Sequence, residues 1–124
     1  MIEINIGKDF SEDPSGRYYS DGEGSGEEFR EEVLRPKLEE ADKNNDKIRV
    51  ILDDEVDGYG SSFLVEAFTG VVKFGYMKPD RLLEIIEFSY KDEDFEFFAN
   101  RCIEYIKNAK FNSEKYKSTK DSAI

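Results

Sequence analysis

The sequence predicts an α/β fold, a small mixed β-sheet with parallel crossover units and about three main helices packed against it. Three observations carry this reading. The chain opens on an alternating apolar run, Ile2-Glu3-Ile4-Asn5-Ile6. A β-branched run recurs at Ile48-Arg49-Val50-Ile51-Leu52, and the stretches between the strand candidates place their apolar residues at helical spacing. Strands separated by helices pair in parallel through crossovers.

The first strand ends at Gly7. Residues 11–26 are rich in Ser, Gly and Asp and read as a loop, with Arg17-Tyr18-Tyr19 as a short edge strand within it. Ser25 followed three residues later by Glu28 forms a capping box, so a helix starts near Gly26. Phe29, Val33, Leu34, Leu38 and Ala41 share one face of it, and Pro36 bends it on the way to Lys43. After a turn at Lys43-Asn44-Asn45-Asp46, the run from Ile48 reads as a central strand covered on both faces. Leu64, Ala67, Phe68 and Val71 then mark a helix from Ser61 or Ser62 to about Gly75. Leu82 to Phe88 reads as the next strand, and Phe95, Phe98, Ala99, Cys102, Ile106 and Ala109 as the inner face of a last helix. Phe97 points away from that face.

A chain of 124 residues suits one domain, expected over residues 1–111, with 112–124 as a polar, Lys-rich and mobile tail. Residues 107–124 hold five Lys against Glu114 and Asp121, inside a chain of net charge −11. That field repels nucleic-acid phosphates and anionic lipid heads, so neither is expected as a partner. No apolar run approaches the roughly 20 residues of a spanning helix, and Met1-Ile2-Glu3 lacks the features of a signal peptide, so the expected location is the cytoplasm. With no His and one Cys, neither a His-based triad nor a zinc site can be assembled, and no cofactor or metal is expected.

The richest local feature is Asp53-Asp54-Glu55-Val56-Asp57-Gly58-Tyr59-Gly60-Ser61-Ser62-Phe63, between the central strand and a helix start. Carboxyl ends of strands in open α/β sheets are where ligands and partners meet loops and helix dipoles. The stretch Gly58 to Phe68, with Ser25-Gly26-Glu27-Glu28-Phe29 upstream, resembles a bacterial STAS-like family of unknown function, over roughly Ile4 to Ala109. That family is similar, more distantly, to anti-anti-sigma factors and to the STAS domains of sulfate transporters. Their Asp-Ser-Ser-Gly signature maps onto Ser61 and Ser62, with Gly60 in place of the Asp and Phe63 in place of the Gly. The resemblance implies a non-catalytic regulatory module that docks a protein partner, a histidine-kinase-like ATPase or serine kinase. Asp53, Asp54, Asp57, Tyr59, Ser61, Ser62 and Phe63 are its expected contact residues. It also implies phosphorylation of Ser62, or else Ser61. The plain alternative for a serine here is an N-cap, and the two roles are compatible because a helix N-terminus tolerates phosphate.

Three other functions are open to these residues. Asp53, Asp54 and Asp57 could hold a divalent cation for phosphoryl transfer or hydrolysis, although the spacing fails an EF-hand because Leu64 stands at its twelfth position. A receiver-like reading lacks the acidic pair after the first strand, where Asp9 is alone. The domain could also serve as a structural accessory subunit. Gly22-Glu23-Gly24-Ser25-Gly26 has the outline of a phosphate cradle, but Glu23, Glu27 and Glu28 would repel a phosphate; Arg17 is the nearby cation available to orient an acidic partner group. Cys102, on an apolar helix face without an activating base, reads as a core residue.

Overall fold

A computed structural model describes residues 1–123. Its sheet has three strands, β1 (Ile2–Asn5), β2 (Ile48–Ile51) and β3 (Ile86–Ser89), in the order β1-β2-β3 and wholly parallel. Ile2 stands opposite Ile48, and Ile48 opposite Ile86. A short helical turn, α1 (Ile6–Asp9), follows β1 and is capped by Asn5, whose Oδ1 accepts the Lys8 N–H at 3.0 Å. Helix α2 spans 26–43, α3 spans 61–73, α4 is Pro79–Ile85 and α5 is Glu96–Asn108.

The expected face of α2 is the one that packs: Phe29, Leu34, Leu38 and Ala41 are buried. A wider π-type turn over Arg30–Leu34 precedes Pro36, whose ring would crowd the carbonyl four residues back in a regular helix. Leu64, Ala67, Phe68 and Val71 of α3 are likewise buried. The helix ends at Phe74, and Gly75 follows at φ 80°.

Three sequence expectations need correction. Residues Leu82 to Phe88 are half helix and half strand: Pro79, with no N–H to lose, takes the first position of α4, which buries Leu82 and Ile85 three residues apart. The sheet is parallel rather than mixed because Arg17-Tyr18-Tyr19 does not join it. The N–H groups of Arg17 and Tyr18 instead both bond the Asp21 carboxylate, at 3.0 and 2.9 Å, ahead of a 3₁₀ turn at Tyr19–Asp21. Strand β2 is covered on one face only. Ile48 and Val50 are fully buried, while on the opposite face Arg49 pairs with Glu87 at 2.8 Å and Glu3 at 3.6 Å across all three strands.

In the Lys-rich segment from residue 112, Asn112 and Glu114 donate backbone N–H groups to the Val72 and Lys73 carbonyls, at 2.9 and 3.2 Å. Lys115, Lys117 and Lys120 are exposed as expected, but Tyr116 and Thr119 turn inward. Ile124 lies outside the described residues.

Under that segment sits a charged cluster within the fold. Arg30 is fully buried, its guanidinium against the rings of Phe74 and Tyr116 at 4.7 and 5.0 Å, and these rings also touch each other. It donates to Glu31 at 2.9 Å and to the Glu66 carboxylate and carbonyl at 2.6 and 2.7 Å. Gly70 leaves the space it occupies. Glu27, 1% exposed, accepts from Tyr19 N–H, Tyr116 O–H, and the N–H and hydroxyl of Thr119, at 2.6–3.1 Å. Burial alone would raise the Glu27 carboxyl; the donors from Thr119, Tyr116 and Tyr19 outweigh it and hold the group below the ordinary range.

Candidate functional site

Two helices offer N-terminal N–H groups at the front of the molecule, and the fold treats them differently. At α2 the chain fills its own donors. Gly26 N–H bonds the Gly16 carbonyl at 3.0 Å, Glu27 N–H the Arg17 carbonyl at 2.9 Å, and Glu28 N–H the Ser25 hydroxyl at 3.1 Å. The Glu28 carboxylate reaches back to Gly24 N–H at 3.1 Å, one residue before the cap. The glycine-rich loop therefore has no free cradle to offer a phosphate, and its glycines serve the turn that brings residues 16 and 17 over the helix.

At α3 the opposite holds. Gly60 is the N-cap and has no side chain to accept from the first turn. Ser61 and Ser62 occupy the first two helical positions, are exposed, and make no side-chain hydrogen bond among the described residues. The expected capping role is thus corrected: the serines sit one and two positions too late to be the cap. The helix is held from within instead, by fully buried Phe63, whose ring lies 5.8 Å from both Phe29 and Tyr59.

The loop before α3 is tied at several points. Asp53 accepts the Lys91 and Asp92 N–H groups, both at 2.7 Å, and so pins the end of β2 to the loop after β3. Asp54 accepts from the Asn5 amide at 2.8 Å and lies 3.4 Å from the Lys8 ammonium, and the Asn5 bond lowers its carboxyl. Gly7 is what admits the Asp54 carbonyl so close to α1. Glu55 takes the left-handed conformation at φ 65° and turns the chain. Tyr59 is buried, donates its hydroxyl to the Leu52 carbonyl at 2.6 Å, and is pushed well above the ordinary phenol range by that burial. Asp57 alone of the aspartates in this loop is exposed and has no hydrogen-bond or ion-pair partner among the described residues.

The seven expected contact residues therefore do not form one surface. Asp53 and Asp54 line a hollow of about 550 Å³ at the ends of β2 and β3, with Ile51, Ser89, Tyr90, Lys91 and Asp92. Tyr59 and Ser61 line a separate groove of about 360 Å³ between the first turn of α3 and α5, with Leu64, Phe97, Phe98, Arg101 and Tyr105. Phe63 belongs to the core. Phe63 and Tyr59 are unavailable to a partner as docking side chains, because burial leaves them 0% and 9% exposed. No group of three or more His, Cys, Asp or Glu side chains able to hold a metal ion occurs among the described residues, and Asp53 and Asp54 spend their oxygens on separate partners. Cys102 is fully buried and desolvation pushes its thiol up, away from reactivity.

Sequence reasoning missed the α5 side of this groove. Phe97, Phe98, Arg101 and Tyr105 belong to it, and only Phe97 gave a signal, as an aromatic residue off the inner face of its helix. Among the described residues no helix is long and apolar enough to cross a membrane. A family model described as a STAS-like domain of unknown function matches residues 25–94, from the cap of α2 to the loop before α5. No curated protein and no solved structure matches the chain.

Proposed function

From the premise that this chain belongs to the family of STAS-like domains of unknown function, we propose that it is a non-catalytic regulatory module of the cytoplasm that docks a protein partner at the N-terminus of α3. The partner class that fits is a histidine-kinase-like ATPase or a serine kinase, by kinship with anti-anti-sigma factors. The observation that carries the reading is the open first turn of α3: two exposed serines, without a side-chain hydrogen bond among the described residues, on a helix end that no side chain caps. Asp57 extends the contact surface, while Asp53 and Asp54 hold the loop in place behind it.

The same turn supports a switch. Phosphate on Ser62, or on Ser61, meets the positive end of the helix dipole and leaves the fold intact. At the interface it adds a group carrying nearly two negative charges that must be desolvated for docking to continue, so the modified form releases its partner. Ser62→Asp is expected to weaken binding of the cognate ATPase or kinase by about tenfold or more, roughly 1.4 kcal/mol, while Ser62→Ala binds like the parent. Calorimetric titration measures both. Equal affinity for the Asp and Ala forms, with the same result at Ser61, removes the switch.

A further inference from the structure

We propose that the groove between α3 and α5 receives an apolar side chain from a basic segment of the partner protein, with Phe97 as its anchor; this rests on the docking reading and gives it a second wall. Phe97 is 57% exposed, the most exposed phenylalanine among the described residues. Its ring packs edge-on against Phe98 at 5.5 Å, and Phe98 in turn against Tyr59 at 5.6 Å. An aromatic wall thus runs from solvent down to the core beside Ser61. An aromatic residue left this open at the edge of a groove is the kind of surface that partners cover.

Charge specifies the occupant. The two segments that hold the lining residues, 57–64 and 93–105, carry five carboxylates, and Arg101 is their single cation. Asp57, Glu93, Asp94, Glu96 and Glu104 are exposed around it. Arg101 itself lies over the Phe97 ring at 4.9 Å, so its planar face braces the anchor. A rim so one-sided attracts Lys- and Arg-bearing segments and rejects acidic ones. It also repels a second copy of this chain, whose net charge is −11.

The test uses the full chain, isotope-labelled, and two synthetic amphipathic helical peptides, one of Leu and Lys and one of Leu and Glu. The Lys peptide is expected to shift the backbone amide signals of Ser61, Leu64, Phe97 and Arg101, with affinity that falls as salt is added; the Glu peptide should shift none of them. Phe97→Ser should cost the Lys peptide about tenfold in affinity. Because Phe97 is exposed, a matching thermal melt shows that the variant folds. Arg101→Gln, which removes the single cation from the rim, should tighten the Lys peptide. The proposal fails if the shifts scatter over the acidic surface, if Arg101→Gln weakens the Lys peptide or the Glu peptide is the one that binds, or if dilution alone moves the same signals, which would mark a second copy as occupant. Failure here removes the groove and leaves docking at α3 to the Ser62 measurement with the cognate partner.

Discussion

Phe63 is fully buried against Phe29 and Tyr59, whereas Phe97 stands more than half in solvent, and the two rings make opposite contributions. Phe63→Ala opens a cavity among aromatic rings and is expected to cost about 3–5 kcal/mol of stability. Phe97→Ser should change stability by no more than about 0.5 kcal/mol. Urea denaturation of both variants checks the contrast. From the sequence, Phe63 could be read as a partner contact or as a core anchor, because burial is a property of the assembled layers, whereas Phe97 already stood apart by pointing away from the inner face of its helix. The aspartates were ambiguous for a related reason. Their place after β2 was readable, but Asp53 bonds to residues 91 and 92 and Asp54 to Asn5, partners that only the folded chain brings near. Asp57, Ser61 and Ser62, which make no such bonds, are the residues whose expected exposure could be judged locally.

The helices that pack the sheet were legible where their apolar period was long, in α2, α3 and α5, and failed where the run was short and dense. Leu82, Leu83, Ile85, Ile86 and Phe88 satisfy strand and helix patterns alike, and the deciding signal was Pro79 at the start of α4 rather than anything within the run. The crossing of α2 and α3 was not legible at all, because it depends on absence of side chain. A Cβ on Gly26 would lie 2.6 Å from the Phe63 carbonyl oxygen and 2.9 Å from the Glu66 Cβ. Gly26→Ala would usually favour a helix by intrinsic propensity. Here it must push α3 away from α2, so a loss of about 1–3 kcal/mol is expected instead. A lowered melting temperature for Gly26→Ala, with a smaller loss for Gly60→Ala, where open space leaves only the cost of Ala at an N-cap, separates the two glycines.

For the whole molecule, composition described the outside of the tail correctly and missed its inside. Three lysines face solvent, while Tyr116 and Thr119 close over Glu27 and Arg30. Glu27 makes this closure pH-dependent. Its carboxyl is lowered in the folded state from an unfolded value of 4.5, so its contribution is fully present above that pH and is lost as pH falls through the folded value. Tyr116, desolvated and bonded to Glu27, has its phenol pushed up to about 12, so it remains a donor across the neutral range. Glu27→Gln should therefore melt below the parent at neutral pH. The gap should stay constant down to about pH 4.5 and narrow below it. A gap that holds constant into strong acid would mean the carboxylate charge contributes nothing.

The sheet has a kinetic consequence. Ile48 must find both Ile2 and Ile86, each across an intervening helical crossover, and no hairpin joins any two strands. Every ladder bond in the sheet is thus bought by closing a long loop first, whereas the turns of α2, α3 and α5 form from near neighbours. Helices can flicker into place early and leave β2 as the late arrival that commits the chain to its native state. Until then the apolar faces meant for the sheet have nothing to cover them, which makes the interval before strand pairing the time when this acidic chain depends on its charge to stay dispersed.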